Sequence, residues 1–284
     1  MNIDRDSQWL ARTSGKINLT SEIALLCDKS FLKIRTKLNK KTPILFLTED
    51  KLSNNTLANE TIKQCKEGIR SYIKEYRSDV HINFRNEISF TAYDTAYFYR
   101  NLYKMLIASA YAMTEYPDIA NIREITDIGC GVGTFSLAWG LLSEEMQGNK
   151  LSISLIDRHD FQLKMASAVV SKIIHPLSIS VYRGDALELH DSNYSIHLIG
   201  YVFCSNIDEV ESLDYRRIRS IIGYVSVIVD YENIIERMEP ILKNIGYHTK
   251  KVKVRAKTKS NFITDIKSVG ITANILIAIA REKN

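Results

Sequence analysis

Proline is scarce in this sequence, with four in 284 residues, and glycine numbers only twelve. That excludes collagen-like repeats and long Pro- or Gly-rich linkers. Cysteine is equally thin. Cys27, Cys65, Cys130 and Cys204 are widely scattered, with no C-x-x-C pair and no metal-ligand spacing. A disulfide framework and a cysteine-held metal are thereby excluded, no metal is expected, and the thiols are expected to be reduced. No apolar run approaches the ~20 residues of a membrane span, and Met1 to Asp6 lack the apolar core of a signal peptide. The expectation is a soluble, cytoplasmic protein that does not engage a membrane. No internal repeat or low-complexity segment is visible. Hydrophobic residues at 45% and charged residues at 25% sit at globular averages, so the chain can bury a core.

What is present divides into two textures. Residues 1–118 read as mainly helical. Ser21-Glu22-Ile23-Ala24-Leu25-Leu26 opens with a capping residue followed by apolar residues at helical spacing. Thr56 to Tyr76 is amphipathic, with Ile62, Cys65, Ile69 and Ile73 at steps of three and four. A third helix is predicted over 91–116, ended by Pro117. Most of the net charge of +5 lies here, since residues 1–118 hold 18 Lys/Arg against 14 Asp/Glu. Six basic residues and no acid fall in Lys29–Lys41, and seven basic residues and no acid fall in Lys243–Lys259. Such clusters are either solvated faces or sites for phosphates of RNA.

From residue 122 onward short β-branched runs alternate with helical segments, the pattern of a parallel sheet with crossover helices. Strands are expected at 124–128, 152–157, 179–183, 196–203, 220–229, 249–255 and 274–280. Helices are expected at 134–142, 160–174 and 233–245. The last two strands have no helix between them, which fits an antiparallel pair closing the sheet. The expected architecture is a Rossmann-like, seven-stranded, mostly parallel α/β sheet with an antiparallel last strand, preceded by an N-terminal helical region.

The sharpest local signal is Thr126-Asp127-Ile128-Gly129-Cys130-Gly131-Val132-Gly133-Thr134, between an apolar strand and an apolar helix. Glycines suit a sharp turn whose backbone comes close to a ligand, and the next helix offers free N–H groups. The dinucleotide fingerprint G-x-G-x-x-G needs a small residue five positions after its first glycine; here that position is Thr134. The pattern is G-x-G-x-G, with Asp127 two residues ahead of it. A carboxylate at the tip of a buried strand needs donors, which the α-ammonium of S-adenosylmethionine could supply directly or through water. The next strand ends in Asp157, 24 residues after Gly133, where an acid can accept from both hydroxyls of a ribose.

Asp127 through Gly133 resembles motif I of the class I S-adenosylmethionine-dependent methyltransferases, and the resemblance extends over residues 93–282. It implies a cofactor, S-adenosyl-L-methionine, held by Asp127, Gly129, Cys130, Gly131 and Gly133. It further implies that Asp157 binds the ribose, with Arg158 and His159 flanking the adenine. Asp185 would accept from the adenine amino group, and the backbone of Ala186 would reach a ring nitrogen. Tyr201 to Asn206, at the end of the fourth strand, would face the sulfonium. Asn/Asp-Pro-Pro-Tyr/Phe is absent there, which speaks against base or glutamine amides as acceptors. Tyr93, Tyr97 and Arg100, on one face of the helix ahead of motif I, are candidates for a lid over the cofactor and substrate; aromatic packing is the competing explanation.

Methyl transfer from a sulfonium is an in-line displacement that requires alignment and exclusion of water rather than a metal. A hydroxyl acceptor needs a base, for which His197 is the nearest candidate in sequence. Asn206 is suited to orienting an acceptor. Three functions follow: a methyltransferase for a small molecule or biosynthetic intermediate, one for RNA (ribosomal RNA among them) docked on the basic N-terminal helices, or a non-catalytic binding protein. In the first, residues 1–118 form the lid or substrate-binding region over a 119–284 cofactor-binding domain. Oligomeric state is left open.

Overall fold

The computed structural model describes residues 11–13, 16–18, 21–38, 87–148, 150–188, 195–257 and 270–280. The strands are β1 (Ala11–Thr13), β2 (Lys16–Asn18), β3 (Glu124–Ile128), β4 (Ser152–Asp157), β5 (Ser178–Arg183), β6 (Ile196–Gly200), β7 (Val225–Asp230), β8 (Tyr247–Lys257) and β9 (Gly270–Ala280). The helices are α1 (Ser21–Lys37), α2 (Glu87–Glu115), α3 (Pro117–Ala120), α4 (Thr134–Gln147), α5 (Asp160–Ile174), α6 (Ile207–Ser212), α7 (Tyr215–Ile222) and α8 (Glu232–Asn244). The stretch 56–76, expected to be helical, lies outside the described residues.

The strands form one sheet in the order β1-β2-β8-β9-β7-β6-β3-β4-β5. Strands β3 to β7 run parallel to one another, while β9 runs antiparallel to both β7 and β8. All seven expected strands are present, and the Rossmann-like expectation is met. The chain moves outward from β3 through β4 to β5, then returns to place β6 on the other flank of β3. This reversal is where a doubly wound sheet opens a crevice at the carboxyl ends of its strands.

Alternation along the buried strands sorts their side chains to two faces. Val225, Val227 and Val229 of β7, with Ile275 and Ile277 of β9, share a core with α1, α2, α4 and α5. Ile228, Leu276 and Ala278 point the other way, into a second core under α6, α7 and α8. The result is three layers. Helix α2 belongs to the first core: Leu102, Leu106 and Ile107 have no exposed surface. Full burial of such side chains stabilises by about 1.5–3 kcal/mol each. Helix α1 is tied to α2 by Phe31, whose ring meets Tyr99 and Tyr103 edge-on, and by Tyr103 Oη donating to Asp28 Oδ1 at 2.5 Å.

Three departures from expectation have local causes. The strand expected over 220–229 begins only at Val225, because its first residues close α7. Asp214 caps that helix by accepting from the N–H groups of Arg216 and Arg217, and Ile218, Ile221 and Ile222 bury one face. The strand expected to run to Phe203 stops at Gly200, since Tyr201 takes a left-handed backbone (φ 58°) and Phe203–Ser205 forms a short 3-10 turn. The N-terminal region also contributes β1 and β2, a small hairpin whose second strand pairs in parallel with β8. That lengthens the sheet to nine strands.

Candidate functional site

The crevice opens at the carboxyl end of β3. Gly129, Gly131 and Gly133 all adopt positive φ (63°, 52° and 75°), so each of the three positions favours glycine for conformational reasons. Their surroundings differ. A Cβ on Gly129 would strike the Val202 side chain at 2.5 Å, and one on Gly133 would strike Val170 at 2.9 Å. Those two glycines let loop and helix close together. A Cβ on Gly131 would meet nothing within 4 Å, so the middle glycine faces open space above the loop.

Two carboxylates fix this loop. Asp127 is buried at 2% exposure, and its Oδ2 accepts from both the backbone N–H and the hydroxyl of Ser136 at 2.9 and 2.7 Å. The donors that a buried carboxylate requires thus come from the first turn of α4. Burial pushes its pKa up to about 7, against the opposing pull of the Ser136 hydrogen bonds. Asp157, at the tip of β4, accepts from the Gly131 N–H at Oδ2 (3.0 Å) and from the His159 N–H at Oδ1 (2.9 Å). Burial raises its pKa as well, although both backbone donors and the neighbouring His159 and Arg158 oppose the rise. Each carboxylate oxygen has two acceptor sites, so each keeps capacity beyond its backbone donor. Asp157 therefore ties the middle glycine to the second strand tip beside the open space.

The third strand brings up the same edge. Gly184 donates its N–H to the Asp157 carbonyl at 3.1 Å, and Asp185 Oδ1 accepts from the Leu187 N–H at 2.9 Å. Ala186 and Leu187, both buried, open a 3-10 turn. Cys130 is buried, with its N–H on the Ile156 carbonyl at 2.9 Å. Arg158 is exposed and donates Nε to Nε2 of half-buried His159. The expected cofactor residues thus converge on the carboxyl ends of β3, β4 and β5.

The residues expected to act on the acceptor do not converge in this way. His197 is 3% exposed in β6, its Nδ1 lies 2.7 Å from the Ile221 carbonyl, and its ring lies against Gly223. Burial lowers its pKa, against the opposing hydrogen bond to Ile221. It is a packed histidine between β6 and α7. Asn206 donates one Nδ2 proton to the Val202 carbonyl at 2.9 Å, within its own turn.

Of the lid candidates, the backbone of Tyr93 lies in α2, Tyr97 is half-buried, and Arg100 is exposed. The same helix carries a residue that the sequence reading passed over. Lys104, one turn beyond Arg100, donates Nζ to Tyr201 Oη and lies 5.0 Å from the centroid of that ring. Tyr201 packs edge-on against Tyr231 at 5.5 Å. Below them, buried Asp230 accepts from the Tyr231 N–H at Oδ1 and from the Cys204 N–H at Oδ2. Burial, with Arg100 adding repulsion, lowers the Lys104 pKa to about 8, while Asp230 opposes the change. Burial raises Asp230 to about 6, with backbone donors opposing. The spacing Tyr97, Arg100, Lys104 is the i, i+3, i+7 of one helical face, and that signal was available in the sequence.

Among the described residues, four lysines of the C-terminal cluster and one of the N-terminal cluster pair with acids, while Lys40, Lys41 and Lys259 lie outside the described residues. In the C-terminal cluster Lys243 pairs with Glu239, Lys250 with Glu115, Lys251 with Glu239 and Lys253 with Glu232. In the N-terminal cluster Lys33 pairs with Glu144 and Glu145, and Lys37 donates to the Ile173 carbonyl. Among the described residues no helix is long and apolar enough to cross a membrane.

No protein-family model matches the chain, and no curated protein matches it by sequence. Among solved structures it resembles magnesium protoporphyrin IX methyltransferase from Synechocystis, with bound SAM, at 13% identity and a TM-score of 0.46, covering 72% of this chain and 86% of that one. It resembles precorrin-6y C5,15-methyltransferase from Geobacter metallireducens at 14% identity and a TM-score of 0.43, covering 62% and 87%. It also resembles a candidate RNA methyltransferase from Pyrococcus horikoshii at 14% identity and a TM-score of 0.45, covering 78% and 98%.

Proposed function

We propose that the protein is an S-adenosylmethionine-dependent methyltransferase acting on a small molecule or biosynthetic intermediate. The observation that carries this reading is the Gly131 position. Its backbone is left-handed, the space where a side chain would point is open, and its N–H is anchored on the acid at the next strand tip. A loop built only to turn would have no need of open space at its middle glycine. The bound cofactor would supply a methyl group on an electrophilic sulfonium.

The chain's own part is to hold and align. Gly129 to Gly133 offer backbone to the amino-acid end, Asp157 accepts from the ribose hydroxyls, and Asp185 with the Ala186 N–H brackets the base. Asp127 acts one step back, clamping the strand tip to α4 through Ser136. Tyr201 and its neighbours stand where the acceptor must approach. The pairing of Lys243, Lys250, Lys251 and Lys253 with acids speaks against RNA phosphates at the C-terminal cluster, because a phosphate-binding face needs uncompensated positive charge. RNA is the alternative acceptor.

Calorimetry tests the cofactor. The protein is expected to bind S-adenosylhomocysteine, and Gly131→Arg is expected to abolish binding by filling the open approach above the loop. Binding of NAD with no response to S-adenosylhomocysteine overturns the reading.

A further inference from the structure

We infer that Lys104 and Tyr201 form the acceptor-side proton site, and that the acceptor is an acidic hydroxyl, a phenol or an enol, on a flat unsaturated molecule. The inference rests on the methyltransferase reading and names the substrate class of that same site. Its first two observations are independent of the glycine loop. First, Lys104 Nζ is bonded to the Tyr201 hydroxyl and lies over its ring. Second, Tyr201 is one of only two non-glycine residues with positive φ among the described residues. An aromatic residue held there carries backbone strain of about 1–3 kcal/mol, a cost that clusters at functional sites. Third, the pair stands beside the methyl-donor crevice, because Val202, the next residue, packs against Gly129.

The surroundings suit such a substrate. Tyr201 is half-buried, while Tyr231, inclined at 63° to it, is 45% exposed, so aromatic surface is offered to an unsaturated ring beside Lys104. The charged and titratable groups facing Lys104 are Arg100 on its own helix, Asp230 at the end of β7, and Tyr201 itself. Burial and then Arg100 disfavour the ammonium form and bring the Lys104 pKa to about 8, so the neutral amine that can take a proton gains population as pH rises toward that value.

The step balances without a further reactant beyond the sulfonium methyl donor. The acceptor O–H proton passes to the Tyr201 oxygen as the Tyr201 proton passes to neutral Lys104. An oxygen lone pair forms the new bond to the methyl carbon. The carbon–sulfur bond breaks, and its electron pair stays on sulfur as a thioether. One positive charge has moved from sulfur to Lys104.

The test uses 4-nitrophenol, whose ionised form absorbs where the neutral form does not, added to the full-length protein with S-adenosylhomocysteine. Bound probe is expected to be ionised at a pH below its value in free solution. Lys104→Met is expected to abolish that ionisation and weaken the probe at least about tenfold, the loss of one charge-assisted hydrogen bond. Tyr201→Phe should act in the same direction, while Lys104→Arg, which keeps the cation, should retain the ionised probe. All three variants should keep their affinity for S-adenosylhomocysteine, which distinguishes failure of this inference from failure of the cofactor reading. The inference is overturned if the wild-type protein does not bind the probe, if it binds the neutral form, or if Lys104→Met binds it unchanged. It is equally overturned if Lys104→Met loses S-adenosylhomocysteine, which would place the lysine at the cofactor.

Discussion

Asp127 and Asp157 look alike in sequence, each an acid at a strand tip, yet they meet different partners. Asp127 takes the N–H and the hydroxyl of Ser136 on one oxygen at the start of α4, whereas Asp157 takes one backbone N–H on each oxygen and keeps acceptor capacity on both beside the crevice. Replacing Asp157 with Asn should therefore weaken S-adenosylhomocysteine about tenfold or more, since hydrogen bonds to a charged acceptor are worth about 1.5–3 kcal/mol. An unchanged dissociation constant would remove Asp157 from the ribose site. For Asp127 the expected signature is in stability. Its folded pKa of about 7 lies above the ordinary 3.8, so the folded chain binds the proton more tightly than the unfolded chain. The contribution is full below the ordinary value and is lost as pH rises through about 7. Asparagine can keep both Ser136 bonds, because one oxygen accepts both of them, and it does not ionise. Without ligand, the melting temperature of Asp127→Asn relative to wild type should rise between pH 5 and pH 8; a flat difference would show that the carboxylate is already neutralised by other means.

Among the elements, β3, β4 and α5 match their expected bounds because local pattern and burial agree there. Strand β4 alternates Ser152, Ile153, Ser154 and Leu155, and α5 buries Leu163, Ala166, Val169, Val170 and Ile173 at helical steps. The convergence of the glycine loop with Asp157 and Asp185 was legible for the same reason: each follows its own strand directly. Lys104 was not legible as a partner of Tyr201, since their meeting depends on α2 crossing the sheet, a contact between residues 97 positions apart. Helix α7 was hidden by the β-branched run from Ile218 to Val229, which suits either state until Asp214 and Gly223 are read as its two ends. Gly223 (φ 66°, ψ −160°) occupies backbone that is essentially restricted to glycine, and a Cβ there would meet the His197 ring at 2.8 Å. Strain of about 1–3 kcal/mol and overpacking of about 1–3 kcal/mol act together in Gly223→Ala. Chemical denaturation should show a loss of at least about 2 kcal/mol, and a loss below 0.5 kcal/mol (about the scatter of surface substitutions) would mean that α7 can end elsewhere.

At the scale of the whole chain, the residues ahead of the glycine loop are joined to the sheet through a shared core. Phe98, Leu102, Met105, Leu106 and Ile107 of α2 are buried in the same cluster as Val227 of β7 and Ile277 of β9. Gly200, at the end of β6, approaches α2 so closely that a Cβ would strike the Met105 side chain at 2.7 Å. Removing α1 and α2 would strip this face of the sheet and uncover α4, whose Leu137, Ala138, Trp139 and Leu141 have no exposed surface. An apolar face of that size drives association between copies. We propose that the same residues also serve as the cover that excludes water from the crevice, with Lys104 as their contact to it. A chain beginning at residue 119 is therefore expected to be insoluble or to unfold without a cooperative transition. The covering role needs a separate measurement in the intact protein. Limited proteolysis ahead of residue 119 should slow when S-adenosylhomocysteine and 4-nitrophenol are both bound, and slow less with the cofactor product alone. A truncated chain that stays soluble, melts cooperatively and binds S-adenosylhomocysteine with full affinity would show that the sheet needs neither helix, and cleavage rates indifferent to both ligands would remove the cover from the mechanism.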